Sequence, residues 1–177
     1  MRNWLVVAVA VAALGACQGG TEGSSACVAS ASAEWSGLRV AAAAEGEDCA
    51  SAHATLTIKD ADGATLFSET HVSANVMSLA QANDAAAMQA ALADWINSSN
   101  NTMATSGALP DWPASAEAPE SGEFPFYPEE GLSRDRYLAI RAADAPLFCF
   151  VQGGESQACL ALQNGVLTKV GVQLFPG

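Results

Sequence analysis

Three apolar runs separated by turn signals fill the C-terminal part of the chain, and they commit it to an antiparallel meander. Leu147-Phe148-Cys149-Phe150-Val151, Ala158-Cys159-Leu160-Ala161-Leu162 and the segment from Val166 to Leu174 combine aliphatic and aromatic residues within short, bounded stretches, the pattern of strands. With residues 152–156 as the first turn, Cys149 falls opposite Cys159, Phe148 opposite Leu160 and Phe150 opposite Ala158. Phe148, Phe150, Leu160 and Leu162 then share one face. The second turn contains Asn164-Gly165, for which a two-residue type I′ loop is the first expectation. That loop sets Leu160 against Lys169 and turns Val170, Val172 and Leu174 away from the core. A three-residue loop, Gln163-Asn164-Gly165, with Gly165 in a G1 bulge, pairs Leu162 with Val166 and Leu160 with Thr168. Because a one-residue slip inverts every side chain, the three-residue loop is the predicted register.

The same chemistry recurs earlier. Ala54-Thr55-Leu56-Thr57-Ile58 and Thr65-Leu66-Phe67-Ser68-Glu69 flank Asp60-Ala61-Asp62-Gly63, and a loop of Ala61, Asp62 and Gly63 pairs Asp60 with Ala64, Ile58 with Leu66 and Leu56 with Ser68. A further strand near Leu38-Arg39-Val40-Ala41-Ala42 precedes this hairpin. Between the two groups of strands, Met88, Leu92, Trp95 and Ile96 form an apolar stripe behind Asn83 as N-cap and Asp84 as first-turn acid, which predicts a helix to about Asn97. A shorter helix capped by Ser133 runs through Tyr137 and Ile140 to about Ala143 and stops before Pro146. The order predicts an α+β domain: a largely antiparallel sheet of about six strands in two three-strand groups, with the two helices between them packed on one face.

At the N-terminus Met1-Arg2-Asn3-Trp4 carries one cation, and residues 5–14 are an unbroken run of Leu, Val and Ala. A membrane-spanning helix needs roughly 20 apolar residues; polarity returns at Gln18, so this is the pattern of a signal peptide. Leu14-Gly15-Ala16-Cys17 closely resembles the lipobox of bacterial lipoproteins. That resemblance covers residues 1–17 and implies cleavage before Cys17 and diacylglycerol on its thiol. Gln18 stands where an Asp often means inner-membrane retention, which implies a destination in the outer membrane, facing the periplasm of the cell envelope. The chain thus divides into a signal peptide (1–16), a lipidated flexible tether (17–26) and one globular domain (27–177), with the membrane as a partner reached through lipid.

Loss of residues 1–16 leaves six basic residues against nineteen acids, a formal charge of −13. Such a field repels nucleic acid and excludes it as a partner. Four cysteines remain beyond Cys17: Cys27, Cys49, Cys149 and Cys159. An even number in an exported chain points to disulfides, with three connectivities open. Locality favours Cys27 with Cys49 and Cys149 with Cys159, each closure stabilising by about 3 kcal/mol in the loop-entropy account.

Candidate chemistry is sparse. In the first hairpin's predicted register His53 and His71 stand opposed, with Glu69 a neighbour, a weak zinc pair lacking a third strong ligand. Asp60-Ala61-Asp62-Gly63 superficially resembles the start of a calcium loop, but Ala64 takes the next ligand position and His71 the twelfth, so it reads as a turn. Nucleophile elbow, zinc-protease helix, phosphate loop and dinucleotide fingerprint are all missing, and neither a catalytic residue nor a cofactor is expected. The most distinctive segment is the connection from 98 to 131, with Leu109-Pro110-Asp111-Trp112-Pro113 and Phe124-Pro125-Phe126-Tyr127-Pro128. Loops this long are commonly functional or disordered. Trp112, Phe124, Phe126 and Tyr127 are the candidate binding residues, with Trp112, Phe126 and Tyr127 also candidates to fold back as plugs over the core. The leading functional expectation is a non-enzymatic module binding an envelope protein or peptide. The alternatives are a cell-wall or glycan hydrolase using carboxylates such as Glu123, Glu129, Glu130 or Asp135, and a weak metal-binding protein.

Overall fold

The computed structural model describes residues 26–100, 103–119 and 122–175; the expected signal peptide and lipobox, with Cys17, lie outside them. Strands β1 (Cys27–Trp35), β2 (Leu38–Gly46), β3 (His53–Lys59) and β4 (Thr65–Val72) form a four-stranded antiparallel sheet in that order. Strands β5 (Phe126–Pro128), β6 (Leu147–Val151), β7 (Ser156–Gln163) and β8 (Val166–Leu174) form a second, in the order β5-β8-β7-β6. Helix α1 (Ala85–Trp95) follows the first sheet, and α2 (Arg134–Ala142) stands between β5 and β6.

This mostly β architecture of eight strands in two sheets overturns the expected six-stranded α+β arrangement. Strand β1 is missed because its inward positions include Ala29, Ala31 and Ala33 while Ser30 and Ser32 point outward; the alternation is present, but Ala and Ser contrast too little to announce it. Strand β5 has only three residues, bracketed by Pro125 and ending on Pro128. Nor do the helices share a face. Helix α1 lies along β1 and sends Met88, Leu92 and Trp95 into a core with Val40, Leu56, Ile58, Phe148, Phe150 and Leu160, between the two sheets. Helix α2 sends Tyr137 and Ile140 onto the other face of the second sheet, against Leu147, Ala161, Val170 and Phe126.

Local signals place both helices. The segment Ala85 to Trp95 is rich in Ala, the best helix former. Its N-cap is Asp84 and not Asn83: the Asp84 carboxylate accepts from Ala87 N–H at 2.8 Å. Ser133 caps α2 as expected, accepting from Arg136 N–H. Trp95 closes α1 onto the second sheet by donating its indole N–H to the Val151 carbonyl at 2.6 Å.

Both disulfides join the pairs favoured by locality, Cys27–Cys49 and Cys149–Cys159. The β6–β7 register is the predicted one, with Phe148 opposite Leu160, Cys149 opposite Cys159 and Phe150 opposite Ala158. The β7–β8 register is not. Gln163 pairs with Val166, Leu162 with Leu167 and Leu160 with Lys169, so the turn is the two-residue loop, with Asn164 and Gly165 both at positive φ (51° and 78°). The difficulty with Val170 and Val172 is resolved downstream: a bulge leaves Val170 unpaired, and Cys159 then faces Gly171 and Ala158 faces Val172. Val170 enters the α2 core while Val172 returns to the side of Phe150.

The same device corrects the β3–β4 hairpin. The Asp60 N–H donates to the Ala64 carbonyl as the predicted loop requires, but a bulge passes over Leu66, so that Ile58 faces Phe67, Leu56 faces Glu69 and Ala54 faces His71. His53 is opposite Val72 instead of His71.

Gly171 sits where β5 crosses β8 at close range. A Cβ there would run into the Tyr127 carbonyl oxygen and stand 2.7 Å from the Phe126 ring and 2.9 Å from Pro128 Cα. Two of these obstacles are backbone, so Gly171→Ala is expected to lift β5 from the sheet and to cost about 1–3 kcal/mol of stability, read as a lower urea midpoint.

Candidate binding surface

The long connection is held down by one stripe of α2. Arg134, Tyr137 and Arg141, spaced by three and four residues, line one side of the helix. Arg141 Nε donates to the Leu109 carbonyl at 2.7 Å, the Tyr137 hydroxyl to the Pro110 carbonyl at 2.9 Å and Arg134 Nε to the Trp112 carbonyl at 2.8 Å. Burial pushes the Tyr137 phenol well above its ordinary range, which keeps it a proton donor. Upstream, the buried Ser106 hydroxyl donates to the Ile140 carbonyl and accepts from Ala145 N–H. Polar groups brought under the loop are thereby satisfied.

This clamp divides the four candidate aromatics. Trp112 packs edge-on against Tyr137 at 5.4 Å and donates its indole N–H to the Ala116 carbonyl. Phe126 is fully buried, 6.0 Å from Tyr137. Both are plugs. Tyr127 and Phe124 are the opposite, 53 % and 45 % exposed. Tyr127 pairs with Val172, and strand alternation puts it on the same face as Leu174, itself partly exposed. Beside them a hollow of about 230 Å³ is lined by Glu123, Pro125, Glu155, Leu174 and Phe175. It is an apolar floor rimmed by carboxylates at the open edge of the second sheet. That edge is poorly suited to adding a strand, because neither Pro125 nor Pro128 has an N–H to offer. Recognition here falls to side chains.

The carboxylates named for hydrolysis occupy separate elements. Glu123 lines the hollow with Glu155, Glu129 and Glu130 follow β5, and Asp135 is in the first turn of α2. The histidines are also separated. His53 is exposed on the outer face of the first sheet, whereas His71 points inward, so the opposed zinc pair does not form. Among the described residues no group of three His, Cys, Asp or Glu side chains is placed to hold a metal ion. Asp60 is a turn residue: its carboxylate accepts from the N–H groups of Asp62 and Ala64.

His71 instead joins a polar island that sequence reasoning missed. Its Nε2 lies 3.5 Å from Glu69 Oε1, and Lys169 Nζ lies 3.6 Å from Glu69 Oε2. The rings of Trp95 and Phe150 meet the imidazole edge-on at 6.0 and 6.1 Å. The signal was the two-residue β7–β8 loop itself, which puts Lys169 on the core side opposite Leu160; a lysine there is tolerable because Glu69 receives it from the facing sheet. His71 Nε2 is buried without a hydrogen-bond partner. Burial lowers the His71 pKa, Glu69 pulls it back up, and Lys169 lowers it again. A histidine more acidic when folded than when unfolded is neutral in the native state, and its contribution to stability is complete above the unfolded value of about 6.5. That contribution is lost as pH falls through and below this value. The urea midpoint is expected to fall as pH drops below about 6.5, and His71→Gln to flatten that fall.

The chain matches no known protein family, no curated protein and no solved structure.

Proposed function

We propose that this is a bacterial lipoprotein, cut before Cys17, acylated on its thiol and held in the outer membrane facing the periplasm, whose folded domain is a non-enzymatic module that binds a basic envelope protein or peptide. The anchor rests on the lipobox resemblance of Leu14-Gly15-Ala16-Cys17. Multiple acyl chains hold a protein at the bilayer without any membrane-binding surface of its own, leaving the domain free for another partner.

The observation that carries the binding role is the division of the aromatics: Trp112 and Phe126 build the α2 core, while Phe124 and Tyr127 stay exposed beside a hollow whose charged lining residues, Glu123 and Glu155, are both acids. Exposed Tyr and Phe flanked by proline dock with little loss of freedom. Acids around them select a cationic partner, and a Lys or Arg side chain gains further from the aromatic faces. The chain's large negative charge steers a basic partner toward it.

Two measurements test the reading. Mass spectrometry of the processed N-terminus is expected to find acyl mass on Cys17, with Cys17→Ser releasing the protein from the membrane fraction. A photocrosslinking amino acid at position 124 or 127 is expected to capture one defined basic partner in the envelope. The purified partner should then bind Phe124→Ala/Tyr127→Ala at least tenfold more weakly, whereas Trp112→Ala lowers stability and leaves affinity unchanged. An unmodified Cys17 sinks the anchor; equal binding by the double variant sinks the proposed surface.

A further inference from the structure

We infer that the outer face of the first sheet carries a second binding site, for a carboxylate- or phosphate-bearing saccharide. It does not rest on the reading above. A groove of about 690 Å³ runs between α1 and this face, and its lining includes Ser30, Ser32, Arg39, Lys59 and Gln89 together with alanines of β2 and α1. The floor is flat because the outward residues there are Ser and Ala, which suits the face of a sugar ring.

The charge is the informative part. Acids outnumber Lys and Arg by 19 to 7 in the chain, yet no acid lines this groove and two cations do. Arg39 and Lys59 stand directly opposite each other on β2 and β3, an arrangement that is unfavourable in the absence of a shared anion. Lys59 is half-buried, and its ammonium makes no ion pair or hydrogen bond among the described residues. Arg39 has one partner, Glu34, at 3.8 Å with both side chains about 70 % exposed, a contact of little strength. Arg39 and Lys59 also line an adjoining hollow, together with Glu34, Asp60 and Asp62. The two cations therefore form one end of an otherwise neutral groove. Along the groove Ser30, Ser32 and Gln89 hold side-chain donors with no protein partner among the described residues. An anionic sugar places its charge between Arg39 and Lys59 and its hydroxyls along the serines and Gln89.

The test uses the purified chain, titrated with a hexuronic-acid disaccharide, a hexose phosphate and a neutral disaccharide. Binding of either anionic sugar, with amide shifts at Ser30, Ser32, Ala41 and Gln89, is expected. The neutral sugar should bind at least tenfold more weakly, and Arg39→Gln/Lys59→Gln should lower the anionic affinity at least tenfold. These residues point outward, so amide shifts elsewhere should stay unchanged and report an intact fold. Glu34→Gln is expected to raise affinity by freeing Arg39. No shift with either anionic sugar, equal binding of the neutral sugar, or full binding by the double variant overturns the site.

Discussion

Strands β6 and β7 are buried on both faces, and the rest of the architecture follows from that. Phe148 and Phe150 point one way, Leu147 and Cys149 the other, and all four are 2 % exposed or less. Burying a large apolar side chain contributes about 1.5–3 kcal/mol, so a hairpin apolar on both sides needs two covers. The first sheet and α1 supply one, through Val40, Leu56, Ile58, Met88 and Leu92. Helix α2 and the folded-back connection supply the other, through Tyr137, Ile140, Leu109 and Phe126. The long connection is thus largely structural. It was conspicuous in the sequence because it crosses from one cover to the other, and among its described large apolar residues Phe124 and Tyr127 are the exposed ones.

The two bulges are where the domain departs from regular pairing, and they share one consequence. Passing over Leu66 turns Glu69 and His71 of β4 toward the second sheet. Passing over Val170 lets Lys169 occupy the inner face while Val172 still reaches the core. Either change alone would leave a charge without its partner in a largely apolar seam. Together they bring Lys169 and Glu69 within ion-pair distance. The strand registers and the polar island are therefore coupled.

How much of this was legible depended on contrast between neighbours. The β6–β7 pairing was readable because Phe-Cys-Phe against Ala-Cys-Leu admits one register that aligns both the sulfurs and the apolar faces. Asn164-Gly165 was legible as a turn, yet not its loop length, because the pairing along β8 is broken by a bulge. A bulge leaves no local mark on an apolar strand. Strand β1 was invisible because Ala and Ser barely differ in hydropathy, and β5 because three residues carry no period. Of the candidate site, the aromatics were found from their prolines. Which of them face solvent depended on the Arg134, Tyr137 and Arg141 stripe, whose role is to bind carbonyls far away in sequence. The cation pair was beyond reach because Arg39 and Lys59 become neighbours only through the β2–β3 register.

The two proposed surfaces stand in opposite relation to the charge of the molecule. A basic partner approaching Phe124 and Tyr127 meets a favourable overall field and favourable local acids, so added salt weakens every stage of its binding. An anionic saccharide approaching Arg39 and Lys59 is repelled at long range and attracted only within the groove, on the scale of a Debye length, about 8 Å at physiological ionic strength. Modest salt screens the repulsion before it dissolves the contact, which leaves the groove most effective where ions are plentiful. The groove also lies on the face of the first sheet that turns away from the second, whereas β5 is an edge of the second. Neither ligand competes with the other for space.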